Sequence, residues 1–132
     1  MFEGFKQRRA EKLAEDTLWK AKSAIESLSQ LDPPLLHFAR SGLINSHNGL
    51  TDQFGPFEEW NRQTRTAAMS QLMKMISAAQ KIRGIAIGDQ ATMAGSFGAQ
   101  LLFFYYDSME MIEPRGGEIR DLIATWADFD PS

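Results

Sequence analysis

Between Phe57 and Ile112 the helical pattern hardly pauses, and this run constrains the fold more than any other feature. As one helix it would be about 84 Å long, at about 1.5 Å per residue. A compact chain of 132 residues has a radius of gyration of about 14 Å. Either the run breaks or the protein is an elongated oligomer, and the break is the favoured reading. Lys81 and Arg83 suit a last turn, where cations complement the helix dipole, and Gly84 can follow as the residue that ends it. Asp89 can then cap a new helix from about Gln90 to Ile112.

The other boundaries follow from proline and glycine. Prolines 33, 34, 56, 114 and 131 all lie where the pattern starts or stops, and no alternating β-branched run occurs. A first helix is predicted from about Lys6 to Ser29, with Ala14, Leu18, Ala21, Ile25 and Leu28 on one stripe. Asp32 can cap a short second helix that tolerates proline in its first turn, with Gly42 or Ser46–Gly49 as its stop. Gly55-Pro56 starts the third, whose wide apolar sector (Ala68, Leu72, Met75, Ala79, Ile82, flanked by Met69, Met73 and Ile76) marks it as the central helix. The fourth turns Ala94, Phe97, Leu101, Tyr105 and Ile112 inward. A last helix, from about Glu118 to Ala127, buries Ile119, Leu122, Ile123 and Trp126. The fold class is all-α: a single compact four- to five-helix bundle over residues 1–132, without β-sheet. A short arm over about 1–5 and a connector over about 43–56 complete it.

Charge narrows the partners. The net charge is −3, but residues 107–132 hold seven acids against two bases, net −5. Nothing in that balance calls for nucleic acid, and Arg62, Arg65, Lys74, Lys81 and Arg83 share a helix without sharing a face. The most apolar stretch, Ala91 to Tyr106, is sixteen residues long, short of the roughly 20 needed to span a bilayer. No export signal is visible near the N-terminus. With no cysteine in the chain, thiolate metal sites and thiol nucleophiles are excluded, and a cytoplasmic setting is expected.

Chemistry-bearing residues are few. His37-Phe38-Ala39-Arg40-Ser41-Gly42 resembles the His-x-x-Lys/Arg-Gly stretch of histidine phosphotransfer domains, which are helical bundles. The resemblance implies His37 as phosphoryl acceptor and Arg40 as the cation that offsets the phosphate. It covers six residues, and Ser41 stands where the family has glycine. No metal is expected, since Pro34 and Ile44 occupy the positions three before His37 and His47, where a di-iron bundle needs glutamate. Asp107, Glu110 and Glu113 form a small carboxylate run at a helix end. Phosphate-binding glycine loops and a Gly-x-Ser-x-Gly nucleophile are missing as well, so an enzyme reading has no positive feature behind it and no cofactor is called for.

Interaction residues are more prominent. Leu101-Leu102-Phe103-Phe104-Tyr105-Tyr106 is apolar right around a helical turn, and a helix greasy on every side needs neighbours on every side. With Phe97, Leu101 and Tyr105 inward, Phe103 and Tyr106 are expected to anchor a partner, beside the small residues Gly95 and Ala99. The leading expectation is a non-enzymatic interaction protein that self-associates through this helix, as a homodimer. An alternative is a small apolar ligand held between the third and fourth helices by Met69, Met73 and Met93, in a closed cavity. Phe2 and Phe5, beside Lys6, Arg8 and Arg9, could touch an anionic membrane surface.

Overall fold

The computed structural model describes the backbone of residues 2–81 and 87–131, and the side chains of 4–81 and 90–131. It contains five helices: α1 (Phe2–Leu28), α2 (Pro33–Phe54), α3 (Arg62–Gln80), α4 (Ile87–Ser108) and α5 (Arg115–Ala127). Among the described residues every regular element is helical, and one contiguous apolar core joins all five.

Ala14, Leu18, Ala21 and Leu28 form the buried stripe of α1, as their spacing requires. The helix already includes residues 2–5, so no separate N-terminal arm exists there. After the turn at 29–32, Pro33 opens α2 at the first helical position, where its missing N–H costs nothing. Asp32 stands at the cap position, but its side chain makes no capping bond.

The expected connector over 43–56 is helix instead. Leu43, His47 and Leu50 recur at helical spacing and are all buried, with half-buried Phe54 continuing the stripe, so tertiary burial carries α2 past both Gly42 and Gly49. The true stop is Gly55, at φ +91°, whose N–H bonds the Thr51 carbonyl. Gly55-Pro56 leads into a 3-10 turn (Phe57–Glu59), and Asn61 is the residue that starts α3, its side chain accepting from the Thr64 N–H at 2.8 Å.

The long run does break. α3 ends at Gln80 and α4 is under way at Ile87, so Asp89 falls in the first turn rather than ahead of it. Gly84, predicted as the helix-ending residue, and Ile82 lie outside the described residues. The fourth helix stops at Ser108, which leaves Ile112 half-buried in the turn before α5.

The central helix is α4, not α3. It packs against each of the other four, with Leu101, Leu102 and Tyr106 wholly enclosed. α3 buries only Ala68, Leu72 and Ile76, while Met73 and Met75 stay 46% and 37% exposed. Its apolar sector meets two neighbours, α4 chiefly and α2 to a lesser extent.

Small residues allow α4 its closest neighbour, α2. A Cβ at Gly98 would overlap the Ala39 carbonyl oxygen, and one at Gly42 would overlap the backbone of Gly95. Gly42, Gly95 and Gly98 therefore form the contact surface of an intrachain crossing. That contact sets which faces of α4 remain open.

Candidate functional site

The aromatic turn of α4 divides into a closed and an open side. On the closed side Tyr106 is fully buried and its hydroxyl donates to Nδ1 of His47 at 2.6 Å. Gly95 faces α2, where a Cβ would meet the Phe38 carbonyl oxygen at 3.7 Å, and Ala99 is 4% exposed. Of the four residues expected at a partner interface, Tyr106 is thus used inside the chain, while Gly95 and Ala99 line a separate open cleft of about 280 Å³ between α2, α3 and α4. The crowding inference failed here because α2, the 3-10 turn and the C-terminal segment all close over the same side of the turn.

The open side lies between α1 and α3. Phe103 and Phe104 are half-buried there, and Phe97, predicted inward, is 41% exposed. Phe104 and Gln100 line two adjoining surface clefts. One, of about 350 Å³, runs between α4 and the end of α1, with Leu28, Leu31 and Phe97 among its walls. The other, of about 300 Å³, runs between α4 and α3, over Phe103, Met73 and Ile76. Among the described residues no charged side chain lines either cleft. The result is one apolar strip, interrupted only by the neutral amides of Gln100 and Gln80 and the hydroxyls of Ser27 and Ser77.

The methionines are arranged differently from expectation. Met73 lines the α3–α4 cleft, whereas Met69 and Met93 are half-buried and do not line it. The space is an open cleft rather than a closed cavity.

His47, expected in a connector and without the glutamate a metal site needs three residues before it, is a keystone of the fold. It is 4% exposed and ringed by Phe57, Trp60 and Phe129, with centroids at 5.3, 6.3 and 4.8 Å. Trp60 Nε1–H donates to the Gly55 carbonyl at 2.8 Å, which folds the connector back over the histidine. Burial lowers the His47 pKa, and a hydrogen bond with the Pro131 backbone partly offsets this. Pro131 offers only a carbonyl, so a ring N–H donates to it; with Nδ1 accepting from Tyr106, the proton sits on Nε2. Tyr106 is pushed far above the ordinary phenol range by the same burial, with a smaller contribution from Tyr105. The pair is therefore neutral and structural at ordinary pH.

A pH dependence follows. With its folded pKa depressed, His47 binds fewer protons folded than unfolded from about pH 6.5 down to that lowered pKa, so stability falls with acidification there, at a slope of at most about 1.36 kcal/mol per pH unit. Glu110 is held below the usual carboxylate value mainly by its hydrogen bond from Arg65, and Glu113 mainly by one from Arg120. Stability from these is lost only below about pH 4.5. Urea unfolding between pH 7 and 5 should show the His47 slope in the wild type and a flatter profile in His47→Gln; an unchanged slope in the variant would refute the assignment.

The phosphotransfer geometry does not assemble. His37 is exposed, with Ser41 Oγ 3.4 Å from Nε2, but Arg40 turns away to Trp126. Arg40 Nε donates to the Trp126 carbonyl at 2.9 Å, and its guanidinium lies over that indole. The carboxylate run is also dispersed: Glu110 pairs with Arg62 and Arg65, and Glu113 with Arg120 and the Gly117 N–H. Among the described residues no group of three metal-ligating side chains converges, and no helix is long and apolar enough to cross a membrane. Phe5 is 61% exposed, while the Phe2 side chain lies outside the described residues. In comparisons with family models, curated proteins and solved structures, nothing matches the chain.

Proposed function

We propose that this chain is a non-enzymatic helical interaction protein that self-associates through the open strip of α4, between α1 and α3. One observation carries the reading: among the described residues, the two adjoining clefts around Phe104 and Gln100 are walled by apolar and neutral side chains alone. Around a two-fold axis each residue meets the same surface patch of its mate. An uncharged strip can do so without opposing like charges, and Phe97 and Phe103 supply the aromatic anchors that concentrate binding energy at interfaces. Residues Tyr106, Gly95 and Ala99 play no part in this contact; Phe103 does, joined by Phe97, Phe104 and Met73.

Sedimentation equilibrium tests it. The wild type is expected to dimerise, and Phe103→Glu or Phe97→Glu should weaken the dimer about tenfold or more, since burying an unpaired charge costs several kcal/mol. Phe97 is exposed enough that its variant retains the fold. A wild type that stays monomeric at high concentration overturns the proposal.

A second reading rests on cleft size. A volume of about 350 Å³ between α1 and α4 falls within the range of small-molecule sites, so an apolar ligand could occupy the same strip. A ligand of that kind should compete with dimerisation and should lose affinity in Phe97→Glu.

A further inference from the structure

The three most exposed large apolar side chains among the described residues all belong to the first 19 residues: Trp19 at 69%, Phe5 at 61% and Leu13 at 59%. At 100° per residue they share an arc roughly 120° wide with Arg9, Lys12, Asp16 and Lys20. That arc points directly away from the buried stripe of Ala14, Leu18 and Ala21. From Gly4 to Leu13 only Ala10 is even half-buried, so this end of α1 runs clear of its own bundle. The Arg9 guanidinium lies 5.9 Å from the centre of the Phe5 ring.

We propose that this outer face of α1 docks on an anionic lipid surface, with the helix lying along it. Three observations select this partner. First, the arc carries three cations and one carboxylate on a chain whose net charge is −3, so its positive sign is local and opposes that of the molecule. Second, the face is the outer side of a helix whose residues 4–9 and 11–13 are all exposed; a deformable headgroup layer fits such a convex surface, whereas a folded protein would need a matching trough. Third, a second copy packed antiparallel on the same face and centred on it would set Lys12 against its own counterpart, a like-charge contact.

The contact is shallow. Phe5, Leu13 and Trp19 enter the headgroup region along about 21 Å of helix, at about 1.5 Å per residue. The lysine and arginine stems lie over the apolar layer with their heads at the phosphates. Attraction of this kind is reversible and is screened by salt.

Vesicle co-sedimentation of the full chain provides the test, with phosphatidylcholine alone and with one third phosphatidylglycerol. Binding is expected only to the mixed vesicles, with a blue shift of Trp19 fluorescence; the other two tryptophans are each 8% exposed. The double variant Arg9→Glu/Lys12→Glu should weaken binding about tenfold or more, and Trp19→Ser should abolish the blue shift. Both sites are exposed, and unchanged circular dichroism verifies the fold. Four results would each overturn the proposal: no binding to mixed vesicles, equal binding to both compositions, undiminished binding by the double variant, or a dimer that Trp19→Ser dissolves without any lipid effect.

Discussion

Gly98→Ala is expected to destabilise the protein by about 3 kcal/mol or more, at the upper end for an overpacked site. The added methyl would overlap the Ala39 carbonyl oxygen and crowd the backbone nitrogen of Leu43. Backbone atoms on a packed helix cannot rotate aside as a side chain can, so α2 and α4 would have to separate. That separation loosens the crossing on which Leu43, Leu102 and Tyr106 depend for their complete burial. For a chain of this length a loss of that size lowers Tm by about 10 °C. Gly49→Ala supplies the opposite sign: the position is exposed on α2 and a Cβ there meets nothing within 4 Å, so it should gain about 0.5–1 kcal/mol from helix propensity. Gly95→Ala should be close to neutral, because its Cβ would sit in ordinary contact, 3.7 Å from the Phe38 carbonyl oxygen. Thermal melts of the three variants check the crossing directly, and equal effects at 49 and 98 would contradict it.

The second large effect belongs to His47. Truncation to alanine should cost about 3–5 kcal/mol, as for other large buried rings. It empties the space between Phe57, Trp60, Tyr106 and Phe129 and strands the Tyr106 hydroxyl, which donates to Nδ1 at 2.6 Å. Tyr106→Phe keeps the ring and leaves Nδ1 without its donor, which costs about 1–3 kcal/mol. The two substitutions share one hydrogen bond, so the double variant should lose less than the sum, with a coupling of about 0.5–3 kcal/mol. Additive losses in denaturant unfolding would show that the bond contributes nothing.

The fold class, the α1 stripe, the α5 core and the break in the long run were legible because each rests on local periodicity or on a chain-length argument. The extent of α2 was not. Gly42 and Gly49 read as stops when propensity alone is weighed, yet the burial of Leu43, His47 and Leu50 overrides it. The same glycine that looked like a terminus is where two backbones meet, a fact that belongs to the pairing of α2 with α4 and not to either helix alone. Tyr106 was misplaced for a related reason. Its side of α4 is covered by Phe57 and Trp60, and these arrive from a connector whose path periodicity does not specify. Phe103 is half-buried, as its angular offset from Leu101, off the core stripe, implies. The opposite fate of Phe97, inward by pattern but 41% exposed, follows from the incomplete cover that α1 gives α4.

The absence of cysteine from the chain gives the central claim a clean measurement. Gln100 sits where the two clefts join, at the middle of the proposed two-fold contact, while Asp52 is exposed on α2, off the cleft linings. Single Gln100→Cys and Asp52→Cys proteins can be compared by oxidative cross-linking, which requires the paired Cα atoms to approach within about 7 Å. Self-association through the open strip predicts rapid, reductant-reversible dimers from the cysteine at 100 and few from that at 52. Equal yields at the two positions, or none at 100 with the wild type still dimeric, would contradict it.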